Sequence, residues 1–310
     1  MKDFRVGTLL LTPEPGVREQ LIASAVAIGE QLGQHRLLTP SGAPTWIGPV
    51  GYGTELNPLR LLQLGPHFYD GTTGVALFFA ALARVEGGHS WHELALATVA
   101  PLRRKLIELT ADPERAARRE LRVGGLIGLG SFIYGLLRIG DLLDEPELAA
   151  SAHDATALLT PERIAADRRV RVQTGSAGAL LALLALHHRL PGPNRNGHTP
   201  LTLATACAHH LLAARVPSLE GLRVWSLSPG KPPLPGFSYG AAGICHALLC
   251  LYQVTGERDL LEAAREGLAF VRGLYSLEHR TWLDPRVLFQ ARYRLARGTW
   301  RDWWASGTSA

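Results

Sequence analysis

The sequence predicts an all-α fold made of helical hairpins in two layers. Three observations predict it. A glycine pair three residues apart opens an apolar run at four places: Gly71-Thr72-Thr73-Gly74, Gly125-Leu126-Ile127-Gly128, Gly175-Ser176-Ala177-Gly178 and Gly240-Ala241-Ala242-Gly243. Amphipathic stretches of helical period separate these runs. No alternating, period-2 strand longer than a few residues is found.

Taken in order, residues 1–14 read as an N-terminal extension. Residues 17–34 place Leu21, Ile22, Ala25, Val26, Gly29 and Leu32 on one face, with Glu19 and Glu30 off it. The loop 40–70 leads into the first glycine pair and the uncharged run Val75 to Ala83. Residues 91–110 form the next amphipathic helix. The second pair leads into Leu129 to Leu137, followed by the amphipathic stretch 145–159. The third leads into Ala179 to Leu186, and a loop at 190–198 precedes the helix at 199–214. A proline-rich loop, 215–239, precedes the fourth pair and the run Ile244 to Tyr252. Residues 258–275 align Leu260, Leu261, Ala264, Leu268 and Val271. Residues 280–310 carry no helical stripe and read as an irregular Arg/Trp-rich tail with Trp300, Trp303 and Trp304.

An all-round apolar helix must be interior, whereas a one-faced helix lies half-buried. The glycine-led helices therefore form the inner layer and the amphipathic ones the outer layer. If the hairpins curve round an axis, the glycine N-termini gather at one end. That end is where a site is expected, because helix N-termini present free N–H groups.

Composition narrows the function classes. The chain has 310 residues, 46% of them hydrophobic and 19% charged, which suits a globular core. The net charge is +5, and all but Lys2, Lys105 and Lys231 of the 32 basic residues are arginine. They form no run of five or six, so no nucleic-acid footprint is seen. Cys207, Cys245 and Cys250 are too few for a disulfide framework and imply a reducing compartment. With no signal-peptide core and no membrane-length apolar run, the chain reads as cytoplasmic.

The motifs resemble a known family. Phe68-Tyr69-Asp70-Gly71-Thr72-Thr73-Gly74 resembles the start of the cyclase half of class II (LanM-type) lanthipeptide synthetases. The third and fourth glycine motifs, the latter as Gly236-Phe237-Ser238-Tyr239-Gly240-Ala241-Ala242-Gly243, resemble two further motifs of the lanthionine synthetase C-like family. Trp46-Ile47-Gly48 fits the bifunctional branch, and the resemblance spans roughly residues 15–285. It implies an α/α toroid over 15–279 that binds zinc near its axis. The zinc takes a peptide cysteine as thiolate, which adds to a dehydroamino acid to close a thioether ring. A metal-bound thiol is deprotonated at neutral pH, and the resulting enolate needs a proton donor.

The departures fall on that chemistry. Tyr239 stands where the family has a motif histidine, and Arg171 where it has an aspartate. No cysteine follows Cys250, and the only later histidine is His279, so the family's zinc-ligand motifs are not matched. The expectation is a toroid that stops partway round, without a dehydratase half, holding no zinc and inactive alone. Its partner would be a precursor peptide or a complementing synthetase chain. The alternatives are a peptide-binding scaffold of the same fold, a carbohydrate-active α/α barrel or a truncated gene product.

Other candidates have plainer readings. Cys207, Cys245 and Cys250, with His210 and His246, could suggest a metal site. Cys245 and Cys250 point about 140° apart on one helix, so they read as buried small hydrophobes. The run from Gly124 to Gly130 lacks the strand and lysine of a phosphate loop. Asp70 reads as an N-cap ahead of a catalytic group, though Asp70 and Tyr239 together could line a groove. His187-His188 and His209-His210 read as helix-end residues, and Arg168, Arg169 and Arg171 as a solvated basic cluster that could meet an acidic peptide.

Overall fold

The computed structural model describes residues 16–50, 59–218, 221–226 and 231–286. The extension at 1–14, the tail from 287 with its three tryptophans, and parts of the loops 40–70 and 215–239 lie outside the described residues.

The chain opens with α1 (Val17–Gln34) and two hairpins, β1 (Leu37–Leu38) with β2 (Pro44–Thr45) and β3 (Ile47–Val50) with β4 (Arg60–Gln63). Next come α2 (Thr72–Glu86), α3 (His89–Ala111), the short α4 (Pro113–Ala117), α5 (Leu129–Leu143), α6 (Pro146–Ala155) and the short α7 (Pro161–Ala165). They are followed by α8 (Ser176–His187), α9 (Pro200–Ala213), the hairpin β5 (Val216–Pro217) with β6 (Arg223–Val224), α10 (Ala241–Thr255) and α11 (Arg258–Gly273). A last hairpin pairs β7 (Tyr275–Ser276) with β8 (Thr281–Trp282), so the first residues of the expected irregular tail are strand. All sheets among the described residues are two-stranded. No helix among them is long and apolar enough to cross a membrane.

The two layers have different helix starts. Outer α6 and α9, and the short α4 and α7, begin with proline in the first turn, where its missing N–H costs nothing. Asp112, Thr160 and Thr199 cap α4, α7 and α9 through their side chains. Inner α2, α5, α8 and α10 begin after Gly71, Gly128, Gly175 and Gly240, N-cap residues with no side chain to cap the helix.

Each inner helix forms a hairpin with the outer helix that follows: α2 with α3, α5 with α6, α8 with α9, α10 with α11. The inner helices also pack in sequence, α2 on α5, α5 on α8 and α8 on α10. The result is a two-layer α/α toroid, open between α10 and α2 among the described residues. Its core is continuous from Phe79 through Ile133 and Leu183 to Leu248, all fully buried. Fully burying such a side chain contributes about 1.5–3 kcal/mol, so this core is the main source of stability.

Three expectations change. Leu21 on α1 is 63% exposed, because α1 packs mainly on α2 through its later turns and leaves this turn uncovered. Its contact centres on buried Gly29, where Leu82 and Trp91 come close. A toroid that stops after α10 leads to the expectation that the face of Ile244, Leu248, Leu251 and Tyr252 is partly uncovered; Tyr252 is partly exposed, but Ile244, Leu248 and Leu251 are fully buried. They face α8, α9 and α11, leaving His246 and Gln253 exposed with Leu249 and Cys250 partly so. The helix at 145–159 is shorter than expected, since α6 tightens into a 3-10 turn at Thr156–Leu158.

Candidate functional site

The four inner-helix N-termini do lie together, but their N–H groups are not free. In each repeat the preceding loop folds over the helix start and supplies carbonyls seven residues upstream. Thr72 N–H donates to Gly65 O at 2.8 Å, Leu129 to Arg122 O at 2.7 Å, Ala177 to Val170 O at 3.2 Å and Ala241 to Leu234 O at 2.8 Å. This corrects the expectation of an anion-ready ring, because the chain satisfies its own orphan donors. It also explains the second glycines. A Cβ on Gly74, Gly178 or Gly243 would lie 2.3, 1.9 or 1.9 Å from the carbonyl oxygen six residues upstream.

This geometry sets the register between repeats. Gly128, not Gly125, is the counterpart of Gly71, Gly175 and Gly240. Its φ of 138° strains any L side chain. Gly125 sits in the loop, where its Cβ position falls 2.6 Å from the Gly178 backbone. The amides of Leu126 and Ile127 both donate to Gln173 O, so the run from Gly124 to Gly130 is a packing loop and offers no phosphate cradle there.

The residue two before each N-cap glycine joins the loops into a relay. Tyr69 N–H donates to Leu126 O at 3.2 Å, Leu126 N–H to Gln173 O at 3.0 Å, and Gln173 N–H to Ser238 O at 3.1 Å. The next position along presents Asp70, Ile127, Thr174 and Tyr239. Asp70 is exposed and caps nothing, which corrects the N-cap reading: Gly71 is the N-cap, and Gly65 O and the Thr73 hydroxyl, bonded to Pro66 O, do the local stitching.

The two positions that depart from the family motifs meet. The Arg171 guanidinium carbon lies 4.9 Å from the centroid of the Tyr239 ring, within cation–π range. Arg171 Nε also donates to Thr174 Oγ1 at 2.8 Å. The loop beneath them is kinked at Val170, a β-branched residue at φ 47°.

Asp167 holds that kink, and sequence reasoning passed it over. Its Oδ2 accepts from Ser176 N–H at 2.7 Å, Ser176 Oγ at 2.7 Å and Val170 N–H at 3.2 Å, while Oδ1 accepts from Arg169 N–H at 3.0 Å. It caps α8 from nine residues upstream, outside any local capping signature. His210 Nε2 bonds the Asp167 carbonyl at 2.7 Å, and His209 pairs with Glu257 at 3.2 Å.

The sequence profile of lanthionine synthetase C-like proteins matches residues 63–309. The chain belongs to the lanthionine synthetase C-like family. The match covers all four glycine-led repeats, and no curated protein matches the chain.

The family implies zinc, and the described residues do not fit it. No cluster of three or more His, Cys, Asp or Glu side chains is placed to hold a metal among them. Cys207 and Cys245 are fully enclosed in α9 and α10. Burial pushes the Cys245 thiol up to about 12 and raises Cys207 further, first through desolvation and then through Asp167. Burial also raises Cys250, which lies 3.6 Å from His246 Nε2. Such thiols stay protonated at neutral pH and are poor metal ligands.

Proposed function

We propose that this chain is a peptide-binding member of the class II branch of its family, engaging a cytoplasmic precursor peptide without closing thioether rings by itself. The family's action on peptides supports the substrate class. The observation that carries the reading is the Arg171–Tyr239 pair. An arginine stays charged and donates only, so it cannot take the place of a carboxylate. A tyrosine ring held against that arginine is not an imidazole and does not reproduce the motif histidine's chemistry. What remains is a flat, cationic and aromatic surface suited to a peptide backbone or carboxylate. A complementing synthetase chain is the second partner class, and it would supply the zinc ligands.

A carbohydrate-active barrel is disfavoured because it needs paired acids. The positions beside Asp70 in the relay are Ile127, Thr174 and Tyr239, and the Asp167 carboxylate is engaged in capping.

The test incubates the purified chain with zinc and a peptide containing one cysteine and one dehydroalanine. Free thiol is followed by alkylation and mass spectrometry. The expected result is ring closure at the uncatalysed rate. Accelerated closure overturns the reading.

A further inference from the structure

We propose that a cleft between α3 and the loop entering α5, away from the Arg171–Tyr239 pair, docks a peptide segment in which a large apolar side chain neighbours an acidic one. The cleft has a volume of about 590 Å³. Its floor is Leu102, Leu106 and Leu109 of α3 with Leu129 and Phe132 of α5, all buried. That floor suits a leucine- or phenylalanine-sized group, which is favoured by leaving water.

The rim sets the charge of the occupant. Arg119 and Arg122 line the cleft, both exposed, and neither guanidinium has an ion-pair or hydrogen-bond partner among the described residues. Lys105 is tied to Glu108 at 3.4 Å, and Glu120 is the single acid on the rim. Two unpaired arginines at the mouth of an apolar cleft complement a carboxylate.

Inside, His67 supplies a third contact. Its ring stacks on Phe132, with centroids 5.2 Å apart and planes 5° from parallel. Its Nδ1 is buried and has no hydrogen-bond partner. A nitrogen without solvent access does not face the cleft, so His67 contributes through its ring, which with Phe132 forms an aromatic wall for an apolar side chain.

The peptide class rests on the family reading above; the site rests on the cleft. The experiment uses the full chain and a fluorescein-labelled peptide of repeating Glu-Leu, with Lys-Leu and Glu-Gly peptides as controls, read by fluorescence anisotropy. Glu-Leu should bind and both controls should bind weakly. Replacing Arg119 and Arg122 together by alanine should weaken Glu-Leu about tenfold or more. Both are exposed, so the variant should melt like the parent chain. Unchanged binding by that variant, or equal binding of the controls, overturns the cleft. Loss of binding in an Arg171→Ala variant alone would place the peptide on the ring of loops and also overturn it. Ring closure by the chain would sink the functional reading and leave the cleft standing.

Discussion

Gly243→Ala tests whether the folded-over loops, and not helix propensity, explain the glycine motif. The new Cβ would lie 1.9 Å from Phe237 O and 2.7 Å from Val172 Cγ2. That is about 1.5 Å short of ordinary contact with the carbonyl. The obstacle is backbone, so the loop must move. Its movement puts three bonds at risk: Ala241 N–Leu234 O, Ala242 N–Pro235 O and Gln173 N–Ser238 O. At about 1 kcal/mol each, plus about 1–3 kcal/mol for overpacking and less about 1 kcal/mol of helix propensity, the net cost is about 3–5 kcal/mol. A typical domain holds only about 5–15 kcal/mol, so the variant should be severely weakened. Gly236→Ala is the control, since nothing lies within 4 Å of its Cβ position and its φ is not positive. It should change stability by no more than about 0.5 kcal/mol. Urea unfolding followed by circular dichroism compares the three proteins. Failure of Gly243→Ala to accumulate while Gly236→Ala does is the extreme form of the expected result. Equal midpoints for both variants would refute the carbonyl-clash argument.

Other outcomes follow from the same contacts. Asp167→Ala should cost about 1–3 kcal/mol, because four donors lose their acceptor, and thermal unfolding would show it; an unchanged melt counts against the cap. A double-mutant cycle of Arg171→Ala and Tyr239→Leu should give a coupling of about 0.5–1 kcal/mol, and zero coupling would mean the pair is incidental. His67 should make the fold sensitive to acid. Burial holds its imidazole below the ordinary value, Asp70 draws it partly back and Arg122 lowers it further. The unfolded chain therefore takes up a proton near pH 6.5 that the folded chain does not, so this part of the stability is present above that pH and is lost as pH falls toward the folded value. His67→Phe should flatten the fall in stability below pH 6.5, as measured by urea midpoints at several pH values; an unaltered slope would contradict it.

The layered fold was legible because it is written in side chains. Uncharged runs after Gly71, Gly175 and Gly240 cannot face water, and the stripe on residues 258–275 shows which side of α11 is covered. Three features were hidden for physical reasons. An all-round apolar helix does not reveal its less covered side, and on α10 that side carries His246 and Gln253 while Ile244, Leu248 and Leu251 are buried. The relay through Tyr69, Leu126, Gln173 and Ser238 uses main-chain groups, which every residue except proline carries, so composition leaves no mark of it. Asp167 was obscured by distance along the chain. Its nine-residue reach to Ser176 depends on the kink at Val170, which no local propensity announces. His67 had one signal, its place four residues before an N-cap glycine, the position held by Arg171 in the α8 repeat.

The central claim is that this toroid keeps the family's frame without its metal chemistry. Zinc content of the purified full chain tests it most directly. The chain is dialysed against micromolar zinc, gel-filtered and measured by elemental mass spectrometry beside a protein assay. Because the described residues provide no ligand cluster and the enclosed thiols stay protonated, zinc should remain far below stoichiometric. One zinc per chain, retained through gel filtration, would contradict the account.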